Sequence, residues 1–76
     1  MFGLPNHSII LIDKQGNREC VCDTDCNSSS EVIESINYLV NKCHYNLNDY
    51  TKAQYITYNN LVIYEYDIKN GVLVEN

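Results

Sequence analysis

Basic residues are scarce in this chain: five Lys/Arg stand against ten Asp/Glu, for a formal charge of −5 and a pI near 4.6. A surface that grips nucleic acid or anionic lipid has to neutralise phosphates, so neither is expected as a direct partner. Long apolar runs are lacking too. The longest, Ile9-Ile10-Leu11-Ile12, falls far below the roughly 20 residues of a membrane-spanning helix and the roughly 7–15 of a secretory signal core. The expected location is therefore the cytoplasm, a host cell's if the source is viral, where the four cysteines stay reduced. Without a secretory route the sequons Asn6-His7-Ser8 and Asn27-Ser28-Ser29 carry no weight. Phosphate loops, Gly-x-Ser-x-Gly and His-Glu-x-x-His motifs are missing, as are internal repeats and linkers. The expectation is a non-enzymatic protein without a cofactor.

What the chain does hold is the composition of one folded domain over residues 1–76. Its 76 residues leave no room for a second core, and 45% hydrophobic with 20% charged residues matches a globular chain rather than a disordered or coiled-coil one. A domain of this size buries only about 60% of its unfolded surface, so a partner or a staple would help it fold.

The first apolar run leads into Asp13-Lys14-Gln15-Gly16-Asn17-Arg18 and then Cys20-Val21-Cys22, a pattern that predicts a hairpin with Gly16 where positive φ is needed. Four consecutive apolar residues suit a strand covered on both faces, hence an interior one. The register stays open. A two-residue turn at Gln15-Gly16 sets Asp13 opposite Arg18 with the cysteines beside Leu11 and Ile9, and a three-residue turn shifts every pairing.

Ser28-x-x-Glu31 is a capping box, and Val32, Ile33, Ile36, Leu39, Val40 and Cys43 recur at spacings of three and four as one apolar stripe. These predict a helix from Ser29 to His44, ended by Asn46 or Asn48. After a polar connection over 46–52, strands are predicted at 55–58, 61–68 and 72–75, with turns at Asn59-Asn60 and Asn70-Gly71. The order ββαβββ is α+β: a small antiparallel sheet with one helix packed on one face.

A lone helix leaves the other sheet face uncovered. Alternation from 61 to 68 puts Val62, Tyr64, Tyr66 and Ile68 under the helix, because Glu65 and Asp67 would be unpaired charges there. Leu61, Ile63, Val72 and Val74 then fall on the far face, rimmed by Glu65, Asp67 and Glu75. Half-solvated sheet is the plain reading of such a face. An interface is the sharper one, for self-association as a homodimer or for docking on a basic protein surface, with the last strand as an edge open to strand addition.

Two clusters invite a metal. Cys20, Cys22, Cys26, Cys43 and His44 could offer zinc four soft ligands, but Cys20 and Cys22 two apart on a strand point the same way about 6.5 Å apart, and thiols packed as small hydrophobes explain the pattern better. Asp23, Asp25, Asn27, Glu31 and Glu34 occupy oxygen-ligand positions of a calcium loop that resembles an EF-hand or dockerin-type loop over twelve residues, with Ser28 where that loop needs glycine. Helix capping accounts for the same residues. His44 beside Cys43 makes no nucleophile–base pair, and His7 has no acidic or cysteine neighbour in the sequence.

Eleven asparagines with abundant Ile and Tyr, all residues of AT-rich codons, suggest a low-GC bacterium, its phage or a large DNA virus. The expected function is protein binding by occlusion: a phage or mobile-element inhibitor of a host enzyme, such as a nuclease of a defence system whose basic channel would attract Glu65, Asp67 and Glu75. A metal-binding structural module, with zinc or calcium, is the alternative.

Overall fold

The computed structural model describes residues 6–75; the ends of the expected 1–76 domain lie outside the described residues. The chain forms β1 (His7–Asp13), β2 (Arg18–Asp23), α1 (Ser29–Cys43), a 3-10 turn (Leu47–Asp49), β3 (Tyr50–Thr57), β4 (Val62–Lys69) and β5 (Val72–Glu75). The five strands make one antiparallel sheet in the order β2-β1-β3-β4-β5, an α+β arrangement with α1 on one face. The unbroken apolar strand, β1, is interior, and β2 and β5 are the edges. No helix among the described residues is long and apolar enough to cross a membrane.

Local chemistry explains each reversal. At the β1–β2 turn Asp13 N–H donates to Asn17 O at 2.9 Å and Gly16 N–H to Asp13 O at 3.1 Å, so the turn has three residues and Gly16 takes φ 88°. The Asp13 carboxylate accepts the N–H groups of Gln15 and Asn17, each at 2.9 Å. The same geometry returns between β3 and β4. Thr57 N–H donates to Leu61 O and Asn60 N–H to Thr57 O, both at 2.9 Å, with Asn60 at φ 65° and Thr57 Oγ1 accepting from Asn59 and Leu61 N–H. Between β4 and β5, Asn70 and Gly71 both have positive φ, 55° and 77°, the signature of a two-residue type I′ turn.

The capping box forms: Ser28 Oγ accepts Glu31 N–H, and the Glu31 carboxylate accepts Asn27 N–H. The helix ends at Cys43, with His44, not Asn46 or Asn48, in the left-handed position at φ 62°. Asn46 instead caps the 3-10 turn, which buries Leu47 and leads into β3 five residues before the predicted start at 55. Polar Thr51, Lys52 and Gln54 hid that half of the strand. Cys43, predicted on the apolar stripe, is exposed where the helix ends and the chain reverses.

The core lies between α1 and one sheet face. Ile9 and Leu11 of β1, Ala53 and Tyr55 of β3, and Tyr66 and Ile68 of β4 meet Val32 and Ile36 of α1, with Leu47 closing one end. Two cross-strand rows define this face: Cys22–Ile9–Tyr55–Tyr64, and Glu19–Leu11–Ala53–Tyr66–Glu75. Both core tyrosines bond into the helix entry. Tyr55 OH accepts Cys26 N–H at 2.7 Å, and Tyr66 OH lies 2.7 Å from Ser29 Oγ. Burial pushes both phenols above their ordinary pKa.

Candidate functional site

The far face of the sheet is built from the alternate residues. Its rows read Arg18–Ile12–Lys52–Asp67–Val74 and Cys20–Ile10–Gln54–Glu65. The middle of this face is buried and tied by polar bonds. Ile10 and Ile56, both on this face, are only 6% and 4% exposed. Gln54 Nε2 donates to Glu65 Oε2 at 2.7 Å, and Lys52 Nζ stands 3.7 Å from both Glu65 Oε1 and Asp67 Oδ1. Glu65 and Asp67 are thus held by a lysine rather than standing as an open acidic rim.

Register also divides the apolar residues. Val72 and Val74 lie opposite Lys69 and Asp67, whereas Leu61 and Ile63 sit at the other end of β4, beyond the last β5 pair. Ile63 and Asp67 are four positions apart, about 13 Å along a strand. Glu75 is not on this face. It pairs with Tyr66 under the helix and accepts a hydrogen bond from Ser29 Oγ, because the odd-numbered positions of β5 share the face of Leu73.

At the Leu61 end the structure adds two residues that sequence reasoning left out. Tyr58 is 76% exposed at the turn, and Val62, predicted beneath the helix, is 41% exposed, beside Leu61 at 66% and Ile63 at 43%. A register shift between Tyr55 and Ile56 is responsible, setting Val62 opposite the far-face Ile56. One signal was readable in advance: no charged residue occurs between 53 and 64.

Charge is sorted by face. On the far face Arg18, Lys52 and Lys69 balance Asp23, Glu65 and Asp67, for a net of zero. The other seven carboxylates, Asp13, Glu19, Asp25, Glu31, Glu34, Asp49 and Glu75, meet only Lys14 and Lys42. The whole formal charge of −5 therefore belongs to the helix side and the turns.

The metal candidates disperse. A register shift between Ile9 and Ile10 sets Cys22 opposite Ile9 and Cys20 opposite Ile10, so these two thiols lie on opposite faces rather than pointing the same way. Cys22 packs against the core, where burial raises its pKa, while Cys20 Sγ donates to Asp23 Oδ1 at 3.5 Å. Cys26 Sγ lies 3.8 Å from Ser35 Oγ, and Cys43 is exposed beside His44. Three of the calcium-loop residues, Asp23, Asp25 and Glu31, bond to the chain itself, and Glu34, on α1, borders a groove. Asp23 accepts Ser8 Oγ–H at 2.6 Å, Asp25 accepts Asn6 N–H at 3.0 Å, and Glu31 and Asn27 bond in the cap. Among the described residues no three His, Cys, Asp or Glu side chains group to hold a metal ion.

His7 does have an acidic neighbour, one that a separation of eighteen positions concealed. Its Nδ1 lies 2.7 Å from Asp25 Oδ1, its ring stacks on Tyr55 at 5.0 Å, and the contact lowers the Asp25 pKa. The pair straps the 24–28 loop to the start of β1. That loop and α1 enclose an open groove of about 570 Å³, lined by Cys22, Cys26, Leu39 and Tyr38 and edged by Asp25, Glu31 and Glu34.

Compared with known proteins, the chain matches no protein-family model, no curated protein sequence and no solved structure.

Proposed function

We propose that this protein is a non-enzymatic binding domain that acts by occupying another protein's surface, through the β3–β4 turn and the adjoining corner of the far face. The observation that carries the reading is the exposure of Tyr58, Leu61, Val62 and Ile63 side by side at a tip that bears no charge. A turn in water has no folding reason to display four large apolar side chains, and interface centres are depleted of charge and enriched in tyrosine. Val72 and Val74, beside the free edge of β5, form a second and smaller contact. The protein so occupied is a host enzyme, of the nuclease type used in defence, and the inhibitor is a phage or mobile-element product working in the host cytoplasm. Occlusion needs no catalytic group and no cofactor of its own.

The test is affinity capture from a bacterial lysate with the wild-type chain and with a Leu61→Lys, Ile63→Lys double variant, both checked for the same circular dichroism. The expected result is an enzyme retained by the wild type alone, and inhibited by it at one-to-one stoichiometry. Identical captures by the two chains would overturn the assignment of the tip.

A further inference from the structure

We infer that the groove between α1 and the 24–28 loop receives an arginine-bearing segment of a partner protein, at a surface separate from the β3–β4 tip. The groove is lined by the apolar Cys22, Cys26 and Leu39 and by one aromatic residue, Tyr38, which is 62% exposed. On the helix, Glu31, Glu34 and Tyr38 follow at spacings of three and four, which sets two carboxylates and a ring along one edge. Asp25, on the 24–28 loop, also lines the groove. None of the five Lys/Arg lines the groove, where Asp25 is held by His7 Nδ1 at 2.7 Å and Glu31 by Asn27 N–H at 3.0 Å.

The occupant follows from the sorting of charge. With the far face at zero, the −5 charge lies on the helix side and the turns, and this groove of about 570 Å³ opens on the helix side. A cationic side chain with an apolar stem suits it on both counts. The stem lies on the thiols and Leu39, and the charged head reaches the carboxylates. Arginine fits better than lysine, since a planar guanidinium stacks on an exposed ring while donating to two carboxylates in its plane, and an ammonium is a point charge that keeps its water. A phosphate or other anion is repelled by the same lining.

The test is a ¹⁵N NMR titration of the intact chain with acetylated, amidated tri-arginine, alongside tri-lysine and tri-glutamate. Tri-arginine is expected to shift the amides of Cys22, Thr24, Cys26, Ser35 and Tyr38, leave Gln54, Glu65 and Asp67 unmoved, and bind more tightly than tri-lysine; tri-glutamate is expected to shift none. Glu34→Gln and Tyr38→Ala, both at exposed positions that leave the spectrum of the free protein dispersed, are expected to weaken tri-arginine binding about two- to five-fold each. Asp67→Asn, on the far face, leaves it unchanged. Shifts spread over all the carboxylate-bearing segments, the same loss from Asp67→Asn as from Glu34→Gln, or no shifts at millimolar peptide would overturn the inference. The Leu61→Lys, Ile63→Lys chain retains tri-arginine binding, so failure of the tip and failure of the groove are told apart.

Discussion

The β1–β2 and β3–β4 hairpins turn in the same way and present opposite surfaces. Each has a three-residue turn, a residue at positive φ in its third place (Gly16 or Asn60), and a side-chain oxygen at its base (Asp13 or Thr57) that accepts two backbone N–H groups. One tip is Lys14-Gln15, polar and solvated. The other is Tyr58-Asn59 with Leu61 to Ile63 behind it, apolar and exposed. The first hairpin shows that this reversal folds without an apolar tip, so the tip of the second is surplus to folding and calls for another explanation.

The stems are where the likeness should break most. Tyr55 of β3 is 2% exposed and bonded to the Cys26 backbone, so Tyr55→Ala should cost about 3–5 kcal/mol in urea unfolding. Val21, on the edge strand of the other hairpin, is partly exposed and should cost less as alanine. At the turns the likeness should hold. Gly16→Val and Asn60→Val should each destabilise by about 1–2 kcal/mol, since a β-branched residue resists positive φ, while Gly16→Asn and Asn60→Gly should both be tolerated. Unequal losses from the two valine variants would separate the turns after all.

Removing the Thr57 hydroxyl should cost about 1 kcal/mol, as two turn N–H groups lose their acceptor and turn to water. Charging the tip with Leu61→Lys should change stability by no more than about 0.5 kcal/mol, since the residue is exposed and the other turn already tolerates a lysine. A large loss would mean that the tip belongs to the fold rather than to an interface.

Acid should separate the two turns as well. Hydrogen bonds from the Asn17 backbone hold the Asp13 pKa below its ordinary value of 3.8. A depressed carboxylate adds stability that is present above the unfolded value and lost as pH falls through the folded one. The Gln15 and Asn17 amides should therefore lose hydrogen-exchange protection below about pH 3.8, before global acid unfolding, while Asn59 and Leu61, capped by a hydroxyl that does not titrate, keep theirs. Parallel loss at both turns would contradict this.

The elements with local causes were legible in the sequence. The capping box set the start of α1, Asn70-Gly71 set the last turn, the apolar run of β1 set its interior place, and alternation in β4 put Tyr66 and Ile68 inside and Glu65 and Asp67 outside. Each depends on residues within one turn or one strand period of each other. The exposed corner of the far face was legible only in part. Leu61 and Ile63 are exposed as expected, but so are Tyr58 and Val62, which the sequence reading did not expect; Glu75 lies on the helix face, and register divides Val72 and Val74 from Leu61 and Ile63.

Composition and local pattern by themselves determined the class of this protein: an acidic α+β fold with a sheet face its helix does not cover. Tertiary structure alone decided what that face is. Two register shifts, at Ile9/Ile10 and at Tyr55/Ile56, moved Cys20 away from Cys22 and Val62 out beside Leu61. The cross-strand pairs gathered the far-face charges to zero, and His7 met Asp25 across eighteen positions. The physical reason is the same in each case. A side chain's face depends on the summed register of every strand between it and the core, and one inserted residue inverts it without altering any local preference.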